Sequence, residues 1–241
     1  METTVLQGIY DLHIHTAPDV VPRKCDDNEL ADRLFKAGMA GFAIKAHFTE
    51  TASRVALLRQ RYPSMKIVGG ITLNRQAGGI NPDAAEYAAR LGAKFVWFPT
   101  MHSLSYQVYH HGGAEVLPSG ISLFDENGTL LSQVHDILDI AAAHHMIIAT
   151  GHISASEGLA LSRAAVQQGV SRVVITHCDN PADYYSVEQQ LECVRLGAVL
   201  EHCYYTTARG YTPPEEIKRQ IRAVGCENVI LSSDLGQTDL P

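Results

Sequence analysis

The chain has 241 residues, of which 46% are hydrophobic and 19% charged, and its net charge is −7 at pH 7. This length and composition suit one globular domain, and the acidic balance argues against nucleic acid or anionic membrane partners. No apolar run approaches about 18 residues, and the N-terminus lacks a signal peptide pattern. We therefore predict a single domain over 1–241 that is cytoplasmic, keeps its five cysteines reduced and acts on a small molecule.

Five segments repeat one order: an amphipathic helix, a glycine near its end, and a short apolar strand. These five strands are predicted at 41–45, 94–98, 172–176, 198–201 and 228–232. The glycine fits the left-handed position that commonly ends a helix, and almost wholly apolar strands are typical of a parallel sheet covered on both faces. Further strands at 8–14, 66–73 and 146–150 bring the number to eight. Eight such units predict an α/β fold of the TIM (β/α)8 barrel type.

Two segments depart from this repeat. Residues 121–131, between strands four and five, predict a β-hairpin that turns on Asn127-Gly128 and lies over the barrel as a partial lid. Only 235–241 follow Asp234, so the final helix is expected to be missing or truncated. An uncovered strand face is an association surface, which predicts a homo-oligomer.

The first strand carries His13 and His15, two residues apart. Because side chains alternate along a strand, both imidazoles point to the same side. One short strand can then supply two nitrogen ligands to a divalent cation. Asp11 has the same parity and is placed to orient an imidazole or to contact substrate.

Later strands end in further titratable or metal-binding groups, and that end of a TIM barrel holds the active site. These residues are Lys45, His47, His102, His152, His177, Glu201 and Asp234. They predict a metal-centred site, with His47, His102 and Glu201 as candidate substrate contacts or supports for the ligands. Neighbours on a strand face opposite ways, so Glu201 and His202 cannot share a face.

The order of these residues resembles the amidohydrolase superfamily of metal-dependent hydrolases. Its pattern is HxH on strand one, a His after strand five, a His after strand six and an Asp after strand eight, which His13, His15, His152, His177 and Asp234 match. Segments 11–19, 44–48, 149–152 and 232–236 resemble a branch described only as metal-dependent hydrolases. The resemblance implies one or two divalent ions, zinc first, with manganese or iron as alternatives.

The expected reaction is attack of metal-activated water on an amide, lactone or related carbonyl. Asp234 would move the proton from water to the leaving group, and Lys45 or His177 would polarise the carbonyl. In the superfamily a bridging lysine or glutamate often comes from about strand four, whereas here Lys45 lies on strand two. Lys45 is thus a candidate for a carbamylated bridge, a neutral base or a substrate-binding cation.

Three alternatives stay open. The opening also resembles phosphoesterases of the polymerase-and-histidinol-phosphatase type, although Asp234-Leu235-Gly236 lacks their closing Asp-x-His. A decarboxylase on the same barrel would use its metal to stabilise a carbanion-like intermediate. A catalytically silent barrel would bind a metal or small molecule without turnover.

Overall fold

The structure is a computed structural model that describes residues 5–112 and 120–240. Eight parallel strands form one sheet in sequence order, β1 to β8. The strands are β1 Tyr10–Ile14, β2 Gly41–Ile44, β3 Lys66–Thr72, β4 Phe95–Trp97, β5 Ile147–Ala149, β6 Val173–Ile175, β7 Val199–Cys203 and β8 Val229–Ser232. The helices are α1 Asp27–Lys36, α2 Ala52–Arg61, α3 Pro82–Arg90, α4 Leu104–His111, α5 Ser132–Ala143, α6 Ala155–Gln167, α7 Val187–Arg195, α8 Tyr204–Ala208 and α9 Pro214–Val224.

The first and last strands meet at their carboxyl ends. The backbone N–H of Asp234 donates to the carbonyl of His13, and the N–H of His15 donates to the carbonyl of Leu235, both at 2.8 Å. These bonds bring the sheet to a nearly closed barrel with helices between most strands. The predicted TIM barrel is confirmed.

Apolar side chains pack on both faces of the sheet, inside the barrel and between the barrel and the helices. The interior is packed by Ala43, Phe95, Trp97, Ala149 and Val174, and the rings of Phe95 and Trp97 stack with centroids 4.7 Å apart. A larger cluster lies between the sheet and the helices. The interior layer thus forms an apolar floor beneath the carboxyl ends of the strands.

The helix starts follow capping chemistry that is visible in the sequence. Asp26 begins α1 and Ser154 begins α6, and each forms a capping box with the glutamate three residues later. Each box satisfies two backbone N–H groups that would otherwise lack a partner at the helix end. These caps fix the direction in which the chain leaves β1 and β5.

The segment between β4 and β5 differs from the predicted hairpin. Within 121–131 the structure has a single antiparallel bridge, Phe124 with Leu130, and a tight turn in which Asp125 N–H donates to the Thr129 carbonyl. A hairpin with paired strands is therefore not confirmed. The helix α4 precedes this segment, and the Glu157 carboxylate accepts the backbone N–H of Leu123 at 2.8 Å.

Beyond β8, residues 235–240 contain no helix in the described chain. Leu231 on β8 is 67% exposed and Tyr10 on β1 is 45% exposed, so part of the outer sheet face is open. The homo-oligomer expected to cover this face stays a prediction. Across the described ranges, no helix combines the length and apolarity needed to cross a bilayer.

Candidate metal centre

Three buried side chains meet where β1 and β8 end. The Oδ1 atom of Asp234 lies 3.2 Å from Nε2 of His13 and 3.1 Å from Nε2 of His15. The ligand atoms of the three residues all lie within 4.8 Å of one another. Two imidazole nitrogens and a carboxylate oxygen at this spacing can hold one divalent ion with open positions left for water and substrate.

The backbone holds this group together. The hydrogen bonds that close the barrel tie His13 and His15 directly to Asp234 and Leu235. Asp234 has a left-handed φ of 50°, a conformation that costs a non-glycine residue about 1–3 kcal/mol and is often found at functional sites. Gly236, with φ 123°, passes so close to His15 that a Cβ there would overlap its carbonyl oxygen.

Asp11 supports the site through the backbone and not through an imidazole. Its Oδ1 accepts the backbone N–H of His13 at 3.2 Å and that of Ser233 at 3.1 Å. The pairing of β1 with β2 shifts register between Asp11 and Ile14, so the simple alternation behind the expected imidazole contact does not hold here. Asp11 joins the two strand ends that carry the metal-binding group.

Glu201 contacts the other side of the His13 ring. Its Oε2 lies 3.1 Å from Nδ1 of His13, and both side chains are buried. Burial raises the pKa of Glu201, but the contact with the His13 ring lowers that pKa by more, so the net shift is downward. A carboxylate at Nδ1 fixes the tautomer that presents Nε2 to the metal position.

Lys45 lies in the same group. It is 1% exposed, and its Nζ is 3.0 Å from Nε2 of His13 and 5.9 Å from the ring centroid of Trp97. Burial lowers the pKa of the ammonium, while Asp234 and Glu201 act in the opposite direction. The strand-two lysine therefore reaches the centre of the site, above the apolar floor of the barrel.

His152 and His177 line the cavity next to this group. Their ring centroids are 4.7 Å apart, and the centroid of His177 is 5.9 Å from that of His13. His177 has an unusual φ of 25°. Within the described chain, neither His152 nor His177 has a nitrogen close enough to join the group formed by His13, His15 and Asp234, whose ligand atoms lie within 4.8 Å of one another.

Asp183, which no sequence pattern indicated, contacts His177. Its Oδ2 lies 3.0 Å from Nδ1 of His177, with an angle that departs from a regular hydrogen bond. Burial lowers the pKa of His177, but the Asp183 charge raises it to about 9; burial in turn raises the pKa of Asp183 to about 6. The available signal was weak, since Asp183 is one of two carboxylates in the loop after β6.

His47 and His102 have different surroundings. His47 stacks on His15 with centroids 4.7 Å apart, and its Nδ1 is 2.8 Å from the Thr100 hydroxyl. His102 lies in a neighbouring shallow depression, and its backbone N–H donates to Asn74 at 3.3 Å. Of these two candidates, His47 is the one the structure brings to the metal-binding group.

Electrostatics favour coordination. Burial lowers the pKa of His15 to about 4 and those of His47 and His152 well below the usual value, so all three are neutral at pH 7. Burial raises the pKa of Asp234, but His13 and His15 outweigh it and hold that pKa well below its usual range. Neutral imidazoles beside an ionised carboxylate are the forms that bind a metal, so these residues fit a divalent ion.

A cavity of about 200 Å³ opens over these residues. Besides Lys45, His47, His152, His177 and Asp234, its wall includes Arg23 and the rings of Tyr106, His110, Tyr205 and Tyr211. His110 lies on α4 beside the cavity. The strand-end residues are therefore reachable from solvent through an aromatic mouth.

Several solved structures share this architecture over nearly the whole chain. An amidohydrolase from Pseudomonas aeruginosa is 12% identical with a TM-score of 0.62, covering 98% of this chain and 77% of its own. The probable dipeptidase PvdM from the same organism is 11% identical with a TM-score of 0.65, covering 99% and 86%. YJJV, a TatD homolog from Escherichia coli K12, is 17% identical with a TM-score of 0.55, covering 97% and 83%. These proteins therefore share the TIM-barrel fold of this chain.

The family is also defined by sequence. Residues 8–201 match the sequence profile of DUF6282, which is described as a family of unknown function. The chain belongs to this family. No curated protein matches the chain. The matched span includes the histidines of the site and Glu201, and it ends before Asp234.

Proposed function

We propose that this protein is a metal-dependent hydrolase whose divalent ion is held by His13, His15 and Asp234, with His152 contributing from the neighbouring wall. His177, whose pKa is raised to about 9, would contribute by giving up its proton when the ion binds. The observation that carries this proposal is the convergence of two Nε2 atoms on one Asp234 oxygen, at 3.2 and 3.1 Å. The donor set is nitrogen-rich with one carboxylate, which suits zinc first and also manganese or iron.

The bound ion would act as a Lewis acid and lower the pKa of water from 15.7 toward about 7. Asp234, an ionised carboxylate, accepts the proton of the attacking water and delivers it to the leaving group. Lys45, which lines the cavity, would donate to the substrate carbonyl oxygen, where negative charge develops. The substrate is an amide, a lactone or a related carbonyl compound.

Two further features support a catalytic role over a silent barrel. Several polar side chains, among them Lys45, are buried around one cavity. Burial of such groups costs free energy and is typical of functional sites. The left-handed φ of Asp234 and the unusual φ of His177 cost conformational free energy, and both residues lie at the site. Proteins of the same fold include ones named as an amidohydrolase and a probable dipeptidase, and this agrees with hydrolysis of a C–N or ester bond.

Metal content tests the proposal. Elemental analysis of protein purified without added metal is expected to give about one or two equivalents, and His13→Ala and Asp234→Ala should lose them. His135→Ala is the matched control, because His135 is exposed on α5 and away from the cavity. Failure of the intact protein to bind zinc or manganese would overturn the proposal.

Turnover then separates the reaction classes. The metal-loaded protein is screened against amides, lactones, phosphate esters and carboxylic acids, with Asp234→Ala as the inactive reference. Metal-dependent hydrolysis of an amide or lactone is the expected result. Phosphate release or carbon dioxide release would replace the proposal by the phosphoesterase or the decarboxylase, and metal binding with no turnover would favour the silent barrel.

A further inference from the structure

Arg23 is a charged side chain that the proposed chemistry does not use. It lines the cavity of the metal-binding group, yet its side chain is only 4% exposed. Asp19 is its partner: Nε and Nη2 both lie 2.7 Å from the same oxygen, Oδ2. The other carboxylate oxygen of Asp19 accepts the backbone N–H of Val20 at 2.7 Å.

The contact with Asp19 uses one edge of the guanidinium group. A guanidinium has five N–H donors, and its two edges can each bind a carboxylate. Because Asp19 takes the Nε–Nη2 edge, the edge that includes Nη1 remains for an acceptor in the cavity. Asp19 therefore orients the guanidinium while leaving it able to bind a second anion.

The backbone places this group at a fixed position relative to the proposed metal ligands. Arg23 forms an antiparallel bridge with Gln237, and the N–H of Lys24 donates to the carbonyl of Gly236 at 3.0 Å. The loop that carries Arg23 is thus joined to the segment that follows Asp234. A substrate held by Arg23 would keep a constant distance from the reacting centre.

The start of the same loop is also fixed. Arg54 donates from Nε to Asp27 at 2.8 Å and from Nη2 to the Thr16 carbonyl at 3.2 Å. The Thr16 hydroxyl donates to Asp27 at 2.6 Å. These bonds anchor both ends of the segment that leads to Arg23, so the anion-binding edge needs little reorganisation on binding.

The charge of the cavity wall favours an anion. In the part of the chain that the structure describes, Arg23 and Lys45 are the lysine and arginine residues on the wall, and Asp234 is the acidic one. Asp19 balances the charge of Arg23 and Asp234 lies beside Lys45, so a divalent ion held by Asp234 would shift the wall toward positive charge. Fixed positive charge in a partly closed cleft raises the affinity for a carboxylate.

Aromatic rings form much of the rest of the mouth. The rings of Tyr205 and Tyr211 meet edge to face with centroids 6.4 Å apart, and Tyr106 lies 5.1 Å from the ring of His152. Such surfaces bind flat or apolar groups, with the phenol hydroxyls available for polar contacts. At about 200 Å³ the cavity is smaller than the roughly 300–1,000 Å³ of pockets that take drug-sized ligands, which limits the substrate to a small molecule.

From these observations we propose that the substrate is a small carboxylic acid with an aromatic or other flat group. The carboxylate binds the free edge of Arg23, the flat group packs against the tyrosines, and the bond to be cleaved lies over the metal-binding group. The carboxylate is a recognition group and is not altered in the reaction. This inference rests on the proposed function, which makes the cavity a catalytic site. Binding of the acid is tested separately, without metal and without turnover.

The test uses phenylacetate and its neutral counterpart 2-phenylethanol, which cannot be hydrolysed. Binding of each is measured by ligand-observed NMR titration on the full chain stripped of metal with a chelator. We expect phenylacetate to bind more tightly than 2-phenylethanol. Arg23→Gln should weaken phenylacetate by about tenfold or more, the scale of a lost charge-assisted bidentate contact, and change 2-phenylethanol less than about twofold.

Removal of Arg23 leaves the side chain of Asp19, 2% exposed, without its ion pair and could disturb the loop. The double variant Asp19→Asn/Arg23→Gln replaces the ion pair by a neutral, hydrogen-bonding pair and should show the same selective loss. Arg163→Gln is the matched control, because Arg163 is also paired with a glutamate, Glu192, and does not line the cavity. It should bind both probes as the original protein does.

Three results would overturn the inference: no binding of phenylacetate up to its solubility limit, equal binding of the two probes, or unchanged binding in both Arg23 variants. Loss of phenylacetate binding in Lys45→Met but not in Arg23→Gln would also overturn it, since the anion site would then be Lys45. Failure of the hydrolase proposal is separate, because it appears as absent metal or absent turnover. Selective loss in the Arg23 variants of a protein that binds no metal would leave an acid-binding barrel.

Discussion

Two groups of the same composition lie on opposite faces of β7. On the inner face, His13 Nδ1 is 3.1 Å from Glu201 and 3.7 Å from the Cys203 sulfur. On the outer face, His202 Nδ1 is 2.9 Å from Asp179, and the Cys178 sulfur is 3.9 Å from both ring nitrogens. Each group is a buried histidine, carboxylate and thiol with donor atoms within 4.8 Å of one another.

What differs is the rest of their surroundings. The second nitrogen of His13 faces Asp234 and Lys45 in a cavity that solvent reaches. Cys178, in contrast, belongs to the apolar cluster between the sheet and the helices. Its sulfur is 3.9 Å from both nitrogens of His202, so it is not aligned with the lone pair of either. Composition and spacing alone do not make a metal site, because further donors and an open approach are also needed.

The outer group is consequently structural. His202 extends from β7 to Asp179 in the loop after β6, and the carbonyl of Asp179 accepts the Thr212 hydroxyl at 2.7 Å. The pair links three consecutive parts of the barrel at its carboxyl end. Its side chains are 1% and 0% exposed, so neither charge nor ring is hydrated.

The largest contrast is expected in metal content. His15→Ala removes one of three converging donors and should reduce bound metal from about one equivalent to near none. His202→Ala removes a histidine of equal burial and should leave metal content unchanged in the folded fraction. The metal content of both variants is measured by elemental analysis, with circular dichroism to confirm folding. Equal loss of metal in the two variants would place a metal in the outer group too.

The next contrast is in stability. His202→Ala leaves Asp179 buried without a partner and should lower the free energy of unfolding by about 3–5 kcal/mol, measured by urea denaturation. The double variant His202→Leu/Asp179→Leu should recover most of that loss, since apolar groups of similar volume often replace a buried pair at little cost. A destabilisation under about 1 kcal/mol in the single variant would contradict a linking role for the pair.

A smaller effect is expected at Glu201. Glu201→Gln keeps the shape of the side chain but removes the charge at Nδ1 of His13, and should weaken metal affinity by about 10–100-fold. The measurement is competition with a chromogenic chelator. Asp179→Asn makes the same change beside His202 and should leave the metal affinity unchanged. An equal loss of metal affinity in the two variants would show that the effect of Glu201→Gln does not act through His13.

The smallest effect concerns the two thiols. Cys178 and Cys203 are 0% and 1% exposed, so neither should react with iodoacetamide in the native protein over a time that labels the exposed Cys226. Peptide mass spectrometry reads the sites. Rapid labelling of Cys203 alone would show that reagent enters from the cavity, whereas rapid labelling of Cys178 would mean that the outer group opens.

The sequence by itself determined the barrel and the strand-end histidines. Repeated helix, glycine and apolar strand units are local patterns, and parallel strands place all their carboxyl ends at one face. The same local logic separated Glu201 from His202, because alternation along β7 sends neighbours to opposite faces. His13, His15 and Asp234 were predicted to meet on that basis, and the structure brings them together.

Only the tertiary structure decided which carboxylates and cations serve the site. Asp183 and Arg23 lie in loops, whose path follows contacts with distant segments and has no period that a sequence pattern can show. Asp11 contacts the backbone N–H groups of His13 and Ser233, which the sequence did not indicate, because a register shift in β1 is a property of strand pairing and not of the strand itself. The chain encodes its ligands in periodic elements, whereas their supports and the substrate-binding surface depend on how irregular segments pack across the end of the barrel.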